Sequence, residues 1–202
     1  DKYVLFCTEF LKPLDSENIR SGYAEMLKHG LLSNNTMWAE LINFDLDNPN
    51  LIQLQKMVGD SVGVKADIVA KDPLEMNLRK ALNLGHTIGH AFESFAMKKG
   101  NPVLHGYAVA YGMICELYLS VVKTGFPVDK MRQTVSYIKE YFGKMIITCD
   151  DYDELYELMK HDKKNTSDQI NFTLLGEVGD IRIDNFIDKK DIYDSLDFYR
   201  EC

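Results

Sequence analysis

The sequence predicts a mainly α-helical domain, a helical bundle that carries one small antiparallel β element. Apolar residues recur at helical spacing over most of the chain, and proline or glycine residues separate these stretches. Alternation typical of strands occurs at one place, late in the sequence. A length of 202 residues is enough for one domain with a substantial core, and no repeat or low-complexity linker divides residues 1–202.

Four helices are expected in the first half of the chain. Apolar periodicity places them at residues 18–32, 35–46, 50–71 and 83–97. The apolar residues from Tyr23 to Leu32 share one face of the first helix. The second begins with a capping candidate, Asn35 or Thr36, since both residue types cap helix N-termini. The third ends at Asp72-Pro73, because the residue before a proline disfavours helix. Two lysines and a glycine follow the fourth, as is typical of a helix C-terminus.

The second half is expected to hold further helices around one hairpin. The helices are predicted at 105–124, 128–142, 151–161 and 188–198, and the strands at 170–175 and 181–183. The first of these helices is long and strongly apolar, and Gly125 and Pro127 stop it, so we expect it to be buried. In the hairpin, weak alternation starts at Ile170 and residues 176–179 can turn the chain.

Charge and composition exclude several classes of protein. Lys and Arg number 23 against 31 Asp and Glu, and this net charge of −8 disfavours a general nucleic-acid binder. Runs of about 18 apolar residues are missing, so neither a membrane-spanning helix nor a membrane partner is expected. The cysteines Cys7, Cys115, Cys149 and Cys202 form no CxxC pair, which disfavours a zinc knuckle or a disulfide framework. Because a signal-peptide pattern is missing too, we expect a cytoplasmic protein.

Histidines carry the strongest chemical signal. His86 and His90 lie four residues apart in the segment GHTIGH (85–90). On a helix they share one face and can converge on one ion or substrate. The two glycines of the segment would let another backbone or a ligand approach closely. His105 follows at the predicted start of the buried helix, where backbone N–H groups attract anions.

A carboxylate is needed to complete a three-ligand site with an open position for substrate. Glu25 is the best choice, because it lies in a mostly apolar helix with Lys28 three residues later. Glu93, further along the histidine-bearing helix, competes with it, and spacing alone cannot decide between the two. An equally good interpretation of Glu25 and Lys28 is a surface ion pair. We interpret His29 and His161 as solvated or hydrogen-bonded residues.

Four sequence blocks resemble the 3-dehydroquinate synthase family. They are GYAE…KHG (22–30), R…NLGHTIGHAFE (79–93), HG…AV…GM (105–113) and DKKN (162–165). The blocks occur in the family's order and span nearly the whole chain, and the GHTIGHAFE-type block is specific to the sugar-phosphate cyclases. The resemblance implies the C-terminal domain of the 3-dehydroquinate synthase fold.

The resemblance implies a role for each matching residue. Glu25, His86 and His105 would hold a metal, zinc or cobalt, whereas His90 would be a substrate-side residue that transfers protons. This assignment replaces the pairing of His86 with His90 that the spacing suggests. Lys28 would act with His90 in catalysis. The positions that match the family's substrate and phosphate contacts are Lys28, Lys65, Arg79, Asn83 and one of Lys163 and Lys164.

An activity follows from the same resemblance. It is the conversion of 3-deoxy-arabino-heptulosonate 7-phosphate to 3-dehydroquinate and phosphate, a step of the shikimate pathway of aromatic amino-acid biosynthesis, with NAD as redox cofactor. A bound metal would act as a Lewis acid on the substrate. Basic residues would neutralise the substrate's phosphate and carboxylate. The expected partner is therefore a small phosphorylated sugar acid, and the expected assembly is a homodimer.

Two departures from the family pattern are informative. Tyr107 stands where the family has a glutamate after His105-Gly106, which leaves the ligand in place but changes its neighbour. Neither a GxGxxG turn nor the family's N-terminal Gly-Gly-Gly pattern is found. In the family these features belong to an α/β domain that holds NAD. We therefore expect the chain to be the metal- and substrate-binding half, without the NAD-binding domain and inactive alone.

Three alternatives stay open. Another sugar-phosphate cyclase would use the same metal residues on a different substrate. A relative of the iron-dependent alcohol and glycerol dehydrogenases would also bind metal through histidines, although the Lys163-Lys164 block fits such a protein less well. A non-enzymatic helical interaction domain would have no affinity for a divalent metal and would tolerate substitution of its histidines.

Overall fold

The computed structural model describes residues 15–74, 77–162 and 169–202 of the chain. The helices are α1 (Ser16–Ser33), α2 (Asn35–Ile42), α3 (Leu51–Lys71), α4 (His86–Lys98), α5 (His105–Thr124), α6 (Val128–Phe142), α7 (Tyr152–Asp162) and α8 (Lys189–Glu201). Between α7 and α8, the strands β1 (Gln169–Glu177) and β2 (Asp180–Asp188) pair as an antiparallel hairpin. The predicted fold class, a mainly helical domain with one small antiparallel β element, is confirmed.

Helix α5 lies at the centre of the domain and packs against α1, α4, α6, α8 and β1. Its bounds are the predicted ones, and every residue from Ala108 to Leu117 is buried. A helix that is apolar on all sides needs neighbours on all sides, which explains this central place. None of the described helices is long and apolar enough to cross a membrane. The N-terminal end of α5 lies beside α1 and α4, so all three helices can contribute side chains there.

The helices α1, α4 and α5 approach one another backbone to backbone at glycines. A Cβ atom at Gly106 of α5 would lie 1.9 Å from the carbonyl oxygen of Ser21 in α1. At Gly112 it would lie 2.1 Å from the carbonyl oxygen of Gly85, just before α4. The predicted close approach of another backbone is confirmed at Gly89, where a Cβ would lie 3.0 Å from a backbone oxygen of α5. Residues without side chains therefore bring the three helices into contact.

Helix α2 is shorter than predicted. The sequence favours helix over 35–46, but α2 ends at Ile42 and a turn follows. Phe44 and Leu46 are buried in that turn, so their apolar periodicity reflects packing rather than helix. A side-chain oxygen of Asp45 accepts the backbone N–H groups of the residues two and three positions later, which stabilises the turn.

Helix α4 begins at His86 rather than at the predicted residue 83. The segment Leu78–Asn83 forms a 3-10 helix instead, and Gly85 then adopts a left-handed conformation with φ of 78°. This conformation, which favours glycine, separates the 3-10 helix from α4 and resets the direction of the chain. His86 therefore lies at the first position of α4. Its side chain faces His105, at the N-terminal end of α5.

The hairpin is longer than the predicted strands at 170–175 and 181–183. Each strand has nine residues, because backbone pairing continues past the apolar positions. In β2 the alternation of Ile181 and Ile183 with charged residues ends where Asp184 and Asn185 follow each other, so it predicts only the first part of the strand. Thr173 Oγ1 donates to the carbonyl oxygen of Lys80 at 2.8 Å, and Lys80 Nζ lies 2.9 Å from Asp184 Oδ1. These contacts attach the hairpin to the 3-10 helix ahead of α4.

Candidate metal centre

Three potential metal ligands from three different helices converge in the structure. Glu25 lies in the middle of α1, whereas His86 and His105 are the first residues of α4 and α5. Glu25 Oε1 lies 3.2 Å from His86 Nε2 and 3.4 Å from His105 Nε2. One ligand atom from each residue lies within 4.8 Å of the other two. Glu25 and His86 are half-buried and His105 is exposed, so one side of the group opens to the surface.

The spacing of these atoms fits a divalent cation. Zinc lies about 2.0–2.2 Å from nitrogen and oxygen ligands, so two ligands at a tetrahedral angle lie roughly 3.3–3.5 Å apart. The separations of 3.2 and 3.4 Å around Glu25 Oε1 are close to this spacing. A carboxylate with two imidazoles suits zinc or cobalt and leaves a fourth position for water or substrate. The residues therefore fit the metal that the resemblance implies.

The other nitrogen of each imidazole has an acceptor beside it. His86 Nδ1 lies 3.1 Å from the carbonyl oxygen of Leu84, and His105 Nδ1 lies 3.1 Å from Glu93 Oε2. With a metal bound, both acceptors would hold the proton on Nδ1 and leave the lone pair of Nε2 to the cation. A metal-ligating histidine needs this tautomer and a fixed ring orientation.

The structure separates the two carboxylates that sequence spacing left as alternatives. Glu25 Oε1 lies beside Nε2 of both His86 and His105, whereas Glu93 faces the opposite nitrogen of His105. Glu93 also belongs to a second group, with His90 and His105, whose ligand atoms lie within 4.8 Å of one another. Because the two groups share His105, one imidazole links both carboxylates.

Lys28 forms a buried ion pair with the other oxygen of Glu25. Its Nζ lies 2.5 Å from Glu25 Oε2 and donates to the carbonyl oxygen of Leu82 at 3.0 Å, and the residue is only 3% exposed. A surface ion pair is therefore the wrong interpretation. Burial lowers the pKa of Lys28, and the charge of Glu25 opposes this shift. Burial by itself would raise the pKa of Glu25, but the hydrogen bond with His86 and the charge of Lys28 bring it well below its usual range.

His90 joins the same cluster from the second turn of α4. Its ring centroid lies 5.3 Å from that of His86 and 5.9 Å from that of His105. The prediction that His86 and His90 share one face of a helix is confirmed. The ring of His86, however, meets His105 at the same distance of 5.3 Å, so the cluster spans two helices rather than one.

The other described positions that the resemblance implies for substrate contacts lie on α3 and on the 3-10 helix, and both of these elements pack against α1. Lys65 is an exposed residue of α3 and lines a cavity of about 410 Å³ whose wall includes Glu25. Arg79 and Asn83 lie on the 3-10 helix, where the Arg79 backbone N–H donates to Asp72 Oδ2 at 2.9 Å. Asn83 directly follows Leu82, the partner of the buried lysine. The remaining candidates, Lys163 and Lys164, lie outside the described residues.

The other two histidines are placed differently. His29 is buried, and its Nδ1 lies 2.6 Å from Ser61 Oγ, in agreement with the hydrogen-bonded interpretation. Burial, and after it the charge of Lys28, lowers the pKa of His29 to about 4, so its ring is neutral near pH 7. His161 is exposed at the end of α7.

Tyr107, which replaces the family's glutamate, packs into an aromatic group. Its ring meets Phe142 edge-on at a centroid distance of 5.2 Å and meets Tyr111 at 6.4 Å. Its side chain also lies near Arg20, whose guanidinium donates to Asp47 Oδ1 at 2.6 Å. The substitution therefore changes contacts between α5, α1 and α6, and these contacts involve residues other than the candidate ligands.

Glu116 is a residue that sequence reasoning missed. It is fully buried in α5, and its carboxylate accepts the backbone N–H groups of Gly85 and Ile88 at the start of α4. The available signal was a single carboxylate in the most apolar helix of the chain, because a charge is rarely buried without a specific partner. Helical periodicity cannot name that partner, since it lies on another helix.

The fold and the site together define a class of protein, a helical domain in which a carboxylate and two imidazoles can hold a divalent cation beside cationic side chains. Comparison with known proteins specifies the family. Residues 22–165 match the family described as 3-dehydroquinate synthase C-terminal, and the chain belongs to this family. The resemblance stated from the sequence blocks is thereby confirmed.

Individual relatives agree with this assignment. The chain is 56% identical over 193 residues to a 3-dehydroquinate synthase of Parabacteroides distasonis. This alignment covers 96% of the chain and 55% of the relative. A 3-dehydroquinate synthase of Bacillus pumilus is 35% identical over 202 residues, with 98% of the chain and 54% of the relative covered. The chain thus spans about half the length of the curated relatives that it matches.

Solved structures share the fold at low sequence identity. A 2-deoxy-scyllo-inosose synthase complexed with carbaglucose-6-phosphate, NAD+ and Co2+ matches with a TM-score of 0.77 and 22% identity, covering 96% of this chain and 54% of the other. A 2-epi-5-epi-valiolone synthase of Streptomyces hygroscopicus, with NAD+ and Zn2+ bound, matches with a TM-score of 0.78 and 19% identity over the same shares of the two chains. These structures support the helical fold described above.

Proposed function

We propose that this chain is the metal- and substrate-binding half of a 3-dehydroquinate synthase. The protein would convert 3-deoxy-arabino-heptulosonate 7-phosphate to 3-dehydroquinate and phosphate, in the shikimate pathway. The observation that carries the proposal is the convergence of Glu25, His86 and His105 in a chain that is 56% identical to a 3-dehydroquinate synthase. The curated relatives are about twice as long as this alignment, and the rest of their length would correspond to the part that mainly holds NAD. The chain alone would therefore be inactive.

The candidate ligands would hold zinc or cobalt in a partly open site. The bound cation would supply Lewis-acid chemistry to the hydroxyl and carbonyl oxygens of the substrate. Glu25 contributes the only negative charge of its ligand set, so the filled site would keep a net positive charge. Lys28 pairs with the second oxygen of Glu25 and fixes the orientation of that carboxylate. Leu84 and Glu93 keep the rings of the two histidines oriented.

The remaining residues would bind the substrate and move protons. His90 lies beside the ligand histidines, and its imidazole would accept and return a proton at a substrate oxygen. Lys65 on α3 and Arg79 on the 3-10 helix are two separate cations, which suits a substrate with a phosphate at one end and a carboxylate at the other. Asn83, and Lys163 or Lys164, would complete these contacts. The enzyme would act in the cytoplasm as a homodimer.

The first test is a metal titration. We expect the chain to bind about one Zn2+ or Co2+ ion, with loss of binding in Glu25→Ala, His86→Ala and His105→Ala. The full-length protein supplied with NAD should release phosphate from 3-deoxy-arabino-heptulosonate 7-phosphate, whereas glucose 6-phosphate, offered in parallel, should be inert. A preference for glucose 6-phosphate would replace the proposal with another sugar-phosphate cyclase. If neither this chain nor the full-length protein bound metal, a helical interaction domain would be favoured.

Glu93→Gln is expected to weaken metal binding without abolishing it. The amide can still accept the Nδ1–H bond of His105 but removes the negative charge that makes the imidazole a better ligand, so affinity should fall by roughly 10-fold. Isothermal titration with Zn2+ against a competing chelator measures this change. Glu157→Gln, at an exposed residue of α7, is the matched control and should leave the affinity unchanged. Glu25→Gln is measured beside it, and an equally large loss of affinity in Glu93→Gln would instead make Glu93 a ligand.

A further inference from the structure

We infer that Glu116 is a positioning residue for His86: its buried carboxylate caps α4 from the neighbouring helix and fixes His86 in line with Glu25 and His105. Its functional meaning rests on the proposed metal site, whereas the capping contact itself can be tested without metal. The N-terminus of α4 has no capping side chain of its own.

The start of α4 needs an external acceptor. The N-cap position is Gly85, which has no side chain, and the first backbone N–H groups of any helix lack partners within it. Glu116 supplies the acceptors: the Gly85 N–H donates to Oε2 at 2.5 Å, and the Ile88 N–H donates to Oε1 at 3.0 Å. These are the same two N–H groups that a capping box satisfies with side chains of the helix itself. One carboxylate from α5 thus performs both halves of a capping box.

Charge and burial make this contact specific. Glu116 is 0% exposed, so bulk water cannot take the place of its carboxylate oxygens as acceptors. A carboxylate at a helix N-terminus is also stabilised by the positive end of the helix dipole. Without it, the Gly85 and Ile88 N–H groups would be left without this partner inside the core, and the first turn of α4 would open to find another.

The same helix carries both the anchor and a candidate ligand. His105 begins α5, and Glu116 lies eleven residues later on it. Between them Gly112 meets the backbone of Gly85, where an added Cβ would lie only 2.1 Å from the carbonyl oxygen. Helix α5 therefore contacts the start of α4 at consecutive turns, once by backbone and once by the carboxylate. His86 follows Gly85 directly, so its position relative to His105 depends on this contact.

The test compares Glu116→Ala with Ser120→Ala. Ser120 is also fully buried in α5, one turn further on. Its Oγ donates to the backbone carbonyl oxygen of Glu116 at 2.8 Å and accepts the Leu175 N–H at 3.1 Å, so it contacts neither α4 nor the Glu116 carboxylate. At a temperature where both variants are folded by circular dichroism, we expect Glu116→Ala to raise the Kd for Zn2+ by roughly 10-fold or more. Ser120→Ala should keep the Kd within about twofold of the wild type, although it also loses stability.

Two further readouts separate positioning from a general loss of structure. Acetate has the size of the group removed in Glu116→Ala, so several hundred millimolar acetate should restore part of the Zn2+ affinity, and chloride at equal ionic strength should not. In the metal-free wild type, the Gly85 and Ile88 amide protons should exchange slowly with solvent, and this protection should be lost in the isosteric Glu116→Gln. That variant keeps the volume and offers only one acceptor oxygen, so it tests the contact even if Glu116→Ala does not fold.

The outcomes are distinct. An unchanged Zn2+ affinity in folded Glu116→Ala, or amide protection that survives in Glu116→Gln, would overturn the inference while leaving the metal site intact. If the wild type bound no metal but the amide protection were still lost in Glu116→Gln, the proposed function and the role toward His86 would be overturned. The capping contact alone would then be retained. Loss of affinity with acetate rescue supports the complete inference.

Discussion

Replacing His86 with alanine is expected to lower the affinity for Zn2+ or Co2+ by roughly a hundredfold or more. Metal binding by complete protein sites is worth about 10–16 kcal/mol over four ligands, so one ligand contributes on the order of 3 kcal/mol. His86 Nε2 lies 3.2 Å from Glu25 Oε1, and its Nδ1 contacts a backbone carbonyl oxygen, so the ring is directed toward the candidate site. Titration with a chromophoric chelator as competitor measures the change.

Two other histidines serve as controls for His86→Ala. His161 is exposed at the end of α7, so His161→Ala should leave the metal affinity unchanged. His90 belongs to the same cluster, but the proposal gives it proton transfer rather than ligation. His90→Ala should therefore keep the affinity within a few-fold and strongly lower turnover in the full-length protein. Equal losses of affinity in His86→Ala and His90→Ala would contradict the proposed ligand set and restore the pairing that sequence spacing suggests.

Gly106→Ala is expected to lower the free energy of unfolding by about 3 kcal/mol, and to separate two of the candidate ligands. The new Cβ would lie 1.9 Å from the carbonyl oxygen of Ser21 and 2.5 Å from two further backbone atoms of that residue. Backbone atoms within a helix cannot rotate away, so α1 and α5 must move apart. Glu25 lies one turn after Ser21, and His105 precedes Gly106, so the gap of 3.4 Å between them should widen.

The control is the same substitution at a glycine with open space. Gly63 lies in the exposed face of α3, where an added Cβ meets nothing within 4 Å. Gly63→Ala should raise the free energy of unfolding by roughly 0.5–1 kcal/mol, because alanine has the better helix propensity. Urea unfolding of both variants, followed by Zn2+ titration of the folded protein, gives the comparison. Similar stabilities for the two variants would show that the α1–α5 crossing is more plastic than the structure implies.

Much of the fold follows from local sequence patterns. Helix α5 was predictable to the residue, because a long apolar run begins at His105 and ends before Gly125 and Pro127. The start of α4 was not, since the residues from 83 onward continue a helical pattern. Its true start depends on the left-handed conformation of Gly85 and on the carboxylate of Glu116, thirty-one residues away. Periodicity reports neither of these.

The candidate site, like the fold, was predicted from the sequence only in part. The sequence by itself determined the helical class, the residue types able to bind a cation and, through four blocks, the family to which the chain belongs. Spacing left Glu25 and Glu93 as alternatives, because spacing along one helix describes neighbours on that helix alone, and the resemblance implied Glu25. Only the tertiary structure shows that Glu25 Oε1 lies beside Nε2 of both His86 and His105, whereas Glu93 faces the other nitrogen of His105. Glu25, His86 and His105 lie on three helices, and their ligand atoms come within 4.8 Å only where glycines let those helices touch.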